Sequence, residues 1–218
     1  MQMTWYGHSC FRLRGKSGTV VTDPYGDGLG YTLPRLRADI VTVSHDHPGH
    51  ARVRAIRGNP RIIDGPGEYE IKGVFVIGIP SYYEDSPKQS GVRNTVFLFD
   101  LDGVTVCHLG DMRRVPTQSQ IEELGDVDVL LIPVGGGSAL GPAKAAEVVS
   151  LLEPKVVVPM HYGTSRLKGL KLQPVSQFLQ EMGLKDVAPV DRVNVTKSAL
   201  PPETQVVVME CSVEGSVS

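Results

Sequence analysis

Residues 40–50 read IVTVSHDHPGH, and the fold turns on them. Ile40, Val41, Thr42 and Val43 are β-branched and mostly apolar, the pattern of a buried strand. His45, His47 and His50 follow within six positions, with Pro48 and Gly49 between them preventing regular structure. A strand that stops in a tight turn delivers several imidazoles to one point. Imidazole is the commonest protein ligand for zinc and related ions. A polar turn with solvated histidines explains one such residue more easily than three.

Working outward, two more apolar runs end the same way. Residues 104–108 end in His108 and lead to Leu109, Gly110 and Asp111. Residues 155–159 lead to Met160, His161, Tyr162 and Gly163. His8 follows a shorter run over 3–6. All 6 histidines of the chain therefore sit in or beside turns that close strands. Strand ends gathered at one sheet edge bring such imidazoles into a shared pocket, and Asp111 adds a carboxylate. A donor set of His and carboxylate without cysteine favours Zn, Mn, Fe or Ni with open coordination positions, hence catalysis.

The remaining pattern is strand-rich early, with strand and helix alternating late. Further strands are expected over 9–14, 19–22, 61–64, 68–72, 74–79, 95–100, 127–133 and 205–209. Asp102-Gly103 marks a hairpin. Helices are expected over 51–56, 142–152 and 174–182, and a long loop over 80–94. The order suits stacked sheets covered by helices. No linker or low-complexity run divides the 218 residues, so one domain over 1–218 is expected.

Composition excludes several classes. A formal net charge of −2 argues against a nucleic-acid binder. Arg35, Arg37, Arg52, Arg54, Arg57 and Arg61 make a local arginine-rich region, read as solvated surface or a phosphate contact. Cys10, Cys107 and Cys211 are scattered and read as free thiols of a reducing compartment. No apolar run is long enough to span a bilayer. A cytoplasmic protein acting on a small-molecule substrate is expected, with no nucleic-acid or membrane partner and with a homo-oligomer allowed.

His45-Asp46-His47-Pro48-Gly49-His50 resembles the HxHxDH signature of the metallo-β-lactamase fold hydrolases. Leu109-Gly110-Asp111 is similar to their later GD motif, and 158–163 to their final histidine motif. Gly7-His8-Ser9 and Asp23-Pro24 resemble the subgroup that includes ascorbate-6-phosphate lactonase-like and other Zn-dependent hydrolases. The resemblance implies an α/β, four-layer αββα sandwich with a metal site at one edge. It implies one or two divalent ions, most simply zinc, held by His45, His47, His50, Asp111 and His161. It implies that Asp23 orients a ligand histidine, that Asp111 bridges two metals, and that a metal-activated hydroxide attacks an ester, lactone or phosphodiester. Asp111 or another carboxylate would manage the proton.

Gly49 stands where the signature has an Asp ligand, and residues 51–107 contain no histidine. The replacement candidates are His8, Glu68 and His108, with His8 expected to line the pocket and His108 to support it; Asp46 is a further supporting carboxylate. Tyr162, Lys168 and Arg93 are expected to shape the substrate pocket, with the 80–94 loop and residues 163–171. The alternative reading is a non-catalytic scaffold that binds metal or a partner through a degenerate site.

Overall fold

The computed structural model describes residues 1–82 and 93–212. Strand alternation builds its two sheets. β1 (Gln2–Trp5), β2 (Phe11–Arg14), β3 (Thr19–Thr22), β4 (Ile40–Thr42), β5 (Arg61–Ile63) and β12 (Val193–Asn194) form a sheet ordered β12-β1-β2-β3-β4-β5. β6 (Gly67–Ile71), β7 (Val74–Tyr82), β8 (Arg93–Leu101), β9 (Val104–His108), β10 (Val129–Pro133), β11 (Val156–Met160) and β13 (Gln205–Val206) form a second, ordered β13-β11-β10-β9-β8-β7-β6.

Successive side chains of a strand face opposite sides. Val20 and Ile40, paired across β3 and β4, point into the core between the sheets. Val21 and Val41 point the other way, into a smaller cluster with Tyr25, Tyr31, Leu36 and Ile56. The central core joins Met3, Trp5, Phe11 and Leu13 of the first sheet to Val76, Phe97, Phe99 and Val106 of the second.

Three helices, α1 (Gln118–Leu124), α2 (Pro142–Leu152) and α3 (Val175–Glu181), fall in the chain after β9, and α2 and α3 pack on each other. β10 and β11 are buried along their whole length, as parallel strands covered on both faces must be. The layer outside the first sheet is slighter: a 3₁₀ turn, Val53–Ala55, and the loop over 24–39 that carries Tyr25 and Tyr31. No described helix is long and apolar enough to cross a membrane.

Direction matters most for function. β3, β4 and β5 run parallel, and β1 shares their direction through two antiparallel steps across β2. β9, β10 and β11 also run parallel to one another. Ligand sites gather at the carboxyl ends of such strands.

Three expectations change. Of the loop expected over 80–94, residues 80–82 belong to β7 and 93–94 to β8; 83–92 lie outside the described residues. The helix over 51–56 is only the 3₁₀ turn. The strand over 205–209 is regular only at Gln205 and Val206, with Met209 making an isolated bridge to Val190.

Candidate metal centre

Each group at the centre stands just past the carboxyl end of a strand. His8 follows β1, Asp23 follows β3, and His45, His47 and His50 follow β4. Asp111 follows β9 and His161 follows β11. Three of these residues sit in the left-handed backbone region: His8 at φ 51°, Asp23 at φ 39° and His161 at φ 51°. Such conformations cost about 1–3 kcal/mol each and persist only where the surroundings impose them. Here the His8 carbonyl accepts from the Trp5 indole N–H at 3.0 Å and from the His161 backbone N–H at 3.1 Å. Those two bonds tie the end of β1 to the end of β11.

Asp111 is placed by a turn that only glycine allows. Gly110 has φ 58°, and a Cβ there would stand 2.3 Å from Asn94 Oδ1 and 2.5 Å from Ser44 Cβ. Buried Asn94 holds both sides of the turn, donating to the Leu109 carbonyl at 2.9 Å and accepting from the Asp111 N–H at 2.8 Å.

Two overlapping groups of donors result. One nitrogen each from His8, His50 and His161 lies within 4.8 Å of the others, and the same holds for His45, His47 and His50. Asp111 stands between them. Its Oδ1 is 3.2 Å from His161 Nε2 and 3.5 Å from His50 Nε2, while Oδ2 is 3.8 Å from His45 Nε2. Ser138, beyond β10, donates to Oδ2 at 2.8 Å.

The electrostatics suit a cation. Burial, then the neighbouring imidazoles, pushes His8 well below its ordinary pKa, and burial above all lowers His45 to about 4. His161 is lowered for the same first reason. Burial works against ionised Asp111, but His161, His50 and His45 outweigh it and hold the carboxyl well below its usual range. Neutral imidazoles and ionised carboxylates are the forms that bind metal. Asp111 Oδ1 is buried without a hydrogen-bond partner although two ring nitrogens face it, and His8 Nδ1 and His161 Nδ1 are likewise unpartnered among the described residues. An unpartnered carboxylate oxygen among clustered imidazole nitrogens is a nitrogen-and-oxygen donor set that fits a divalent ion.

Asp23 supports the group from behind. It is fully buried and accepts from His50 Nδ1–H at 2.8 Å, from the Ser44 N–H at 2.7 Å and from the Ser44 hydroxyl at 2.6 Å. Burial raises its pKa, and the His50 charge and hydrogen bond more than reverse that. His50 is raised in turn, because Asp23 overcomes the effect of burial.

Residues 2–161 match the family described as the beta-lactamase superfamily domain. The chain belongs to the metallo-β-lactamase superfamily. A Thermotoga maritima protein assigned as a Zn-dependent hydrolase of this superfamily has a similar crystal structure, with 41% identity and a TM-score of 0.79, covering 95% of this chain and 97% of that one. A UPF0173 metal-dependent hydrolase of Thermococcus kodakarensis is 31% identical over 192 residues, 75% of this chain and 85% of that protein. Another from Methanoculleus marisnigri is 32% identical over 188 residues, 75% and 82% of the two chains.

Not every expected residue reaches the centre of this superfamily member. Glu68 is exposed on β6, the edge strand, and belongs to neither donor group. His108 lies outside both groups as well. Its Nε2 donates to the Ser9 carbonyl at 3.0 Å and its Nδ1 accepts from the Gly110 N–H at 3.2 Å, so it braces the turns that carry His8 and Asp111. Asp46 is exposed and lines the mouth of the cavity. Tyr162 faces away, stacked on Trp5 with ring centres 5.2 Å apart, and lines a different cavity. Lys168 is exposed, with its backbone N–H bonded to the Leu29 carbonyl at 2.9 Å, and does not line the metal cavity. Arg93 opens β8, and its side chain lies outside the described structure.

The cavity over the centre holds about 440 Å³. Besides the histidines and Asp111 it is lined by Arg113, Ser138, Leu170, Lys171 and Leu172. Leu170 and Lys171 fall within the expected 163–171 stretch, whereas Arg113, Ser138 and Leu172 had no counterpart among the expected residues. The Gly135-Gly136-Gly137 run after β10 was a usable signal for Ser138, since it ends a buried parallel strand at the functional edge.

Proposed function

We propose that this protein is a metal-dependent hydrolase, with zinc as its ion, that cleaves an ester, a lactone or a phosphodiester. The observation that carries the reading is the buried convergence of His8, His50, His161 and Asp111 Oδ1, with that oxygen left without a hydrogen-bond partner. The names of the archaeal relatives and of the Thermotoga maritima protein point the same way.

His45 and His47 supply one group of donors, and His8, His50 and His161 the other, with His8 taking the part of the motif Asp that Gly49 lacks. When bound, a divalent ion supplies Lewis acidity and lowers the pKa of water from 15.7 towards roughly 7. Asp111 holds negative charge between the two groups and orients the attacking water, while Ser138 fixes its Oδ2. So strongly ionised a carboxylate is a poor proton acceptor. Asp46, exposed at the mouth of the same cavity, takes the proton. Lys171 and Arg113 line that cavity and suit an anionic substrate, with Leu170 and Leu172 for an apolar substituent. Of the three bond types, this favours the phosphodiester.

The test pairs metal analysis with turnover of bis(p-nitrophenyl) phosphate, a simple ester and a lactone. Purified protein should carry divalent metal and hydrolyse at least the phosphodiester. The His45→Ala/His47→Ala variant should lose both. Unchanged metal in that variant refutes the centre. A metal-loaded wild type inert to all three probes refutes catalysis and leaves a binding scaffold.

A further inference from the structure

We propose that Ser44 is a positioning residue that extends the reach of Asp23 to His45, so that one buried carboxylate fixes the ring tautomer of two metal-facing histidines. The inference rests on the reading of His45 and His50 as donors to an ion, but its first readout needs no ion.

Ser44 Oγ and Asp23 Oδ2 are 2.6 Å apart. Two oxygens that close need a hydrogen between them, and this is the usual length for a hydroxyl on an ionised carboxylate. Asp23 is a carboxylate in spite of its burial, because it accepts from His50 Nδ1 and from the Ser44 N–H as well. The hydrogen therefore belongs to the serine. A hydroxyl has only one. Ser44 Oγ also meets His45 Nδ1 at 3.1 Å, and towards that ring it has only lone pairs to offer. The contact is a hydrogen bond only if His45 Nδ1 carries the proton. A neutral imidazole protonated at Nδ1 has its free lone pair on Nε2. Nε2 is the atom that faces Asp111, at 3.8 Å from Oδ2.

At His50 the same carboxylate acts without an intermediary, leaving the Nε2 lone pair towards His8 and Asp111. Ser44 is buried against the Gly110 turn, where a Cβ on Gly110 would lie 2.5 Å from Ser44 Cβ, so glycine at 110 is what lets the serine sit there.

The relay makes a prediction that packing alone does not: changing Asp23 alters His45, which it does not touch. In metal-free protein near pH 7.5, long-range proton–nitrogen correlation of the imidazoles should show His45 protonated at Nδ1. Ser44→Ala should shift His45 towards the Nε2-protonated form. Asp23→Asn should do the same, because the Ser44 hydroxyl is released to donate to Nδ1. In the Ser44→Ala background, Asp23→Asn should leave His45 unchanged while still altering His50. Zinc affinity, measured by competition with a chromophoric chelator, should fall roughly 10- to 100-fold in Ser44→Ala, the usual cost of losing a residue that orients a ligand. Wild-type His45 protonated at Nε2 overturns the proposal, as does a His45 tautomer indifferent to both substitutions. Should Ser44→Ala fail to fold, the wild-type tautomer and Asp23→Asn still decide. Wild-type protein with the stated tautomer but no zinc uptake leaves the relay standing and removes the metal reading instead.

Discussion

At Gly49 the absent side chain is what admits His8. A Cβ there would stand 3.3 Å from His8 Nε2 and 3.1 Å from His47 Nδ1, close enough that both rings would have to give way. Gly49→Ala should therefore weaken metal binding on the order of tenfold without altering any charge. Gly49→Asp should recover part of that loss by supplying the motif carboxylate and displacing His8. His8→Ala should then cost much in the wild type and little in the Gly49→Asp background; equal losses in both, by metal titration, would mean that His8 and residue 49 do not compete for one position. The thiols give a second expectation. Burial raises Cys211 to about 12, and raises Cys10 and Cys107 as well. A raised pKa means that the folded state holds the proton. Stability from these thiols is thus complete below pH ~9 and lost as pH rises through the folded values. Native protein at pH 8 should accordingly react with iodoacetamide about a thousandfold more slowly at Cys211 than denatured protein does, and comparable rates would contradict the burial. At this scale the histidines and Asp111 were legible, because a histidine closing an apolar run is rare. Ser44, Asn94 and Ser138 were not. Serine and asparagine are ordinary turn residues, and their partners lie far away in the chain: Asp23 for Ser44, Asp111 for Ser138.

Among the elements, α1 and the two-residue β12 have no counterpart among the expected segments, and α1 is the larger. Its stretch, QSQIEEL, buries only Leu124 and so lacks an apolar stripe. The overlooked signal was the cap. Thr117 Oγ1 accepts from the Gln120 N–H at 3.4 Å, while Gln120 Oε1 accepts from the Thr117 N–H at 2.9 Å. That reciprocal box satisfies two N–H groups that a helix start otherwise leaves open. Thr117→Ala should cost about 1 kcal/mol in urea unfolding and leave metal content untouched. A loss of metal in that variant would mean that α1 supports the centre. The strands were easier to read, since each buried run of Val, Ile and Leu announces itself. Their ends were harder. β7 and β8 extend past Pro80 and Asn94 because the two strands pair through Tyr82 and Arg93, and pairing is a tertiary fact that polar composition hides. The same limit explains Tyr162 and Lys168: which way a turn residue faces depends on Trp5 in one case and on the loop near Leu29 in the other.

For the molecule as a whole, metal and fold are one equilibrium. An ion that binds only the folded chain stabilises it by about 2.7 kcal/mol at a free concentration a hundred times its Kd. For a chain of this size that corresponds to a rise in melting temperature of about 5–11 °C. Calorimetry with zinc and with a chelator should show the difference, and identical melting curves would mean that no ion is held by the native state. The two-sheet architecture was legible because strand runs dominate early and helices appear late. The thinness of the layer over the first sheet was not, because tyrosines in a loop do there what a helix was expected to do. The centre also has a history in time. Its donors come from positions 8, 45, 47, 50, 111 and 161, on four separate turns divided between the two sheets. A ribosome making this chain has released His8 and the histidines after β4 long before His161 emerges. The group of His8, His50 and His161 cannot close until β11 has paired with β10, which places metal capture late in synthesis, after the second sheet rather than before it. Metal here is a seal on a finished fold. A nascent chain arrested before His161 should leave the His8 group open, and should take up zinc far more weakly than one arrested after β11.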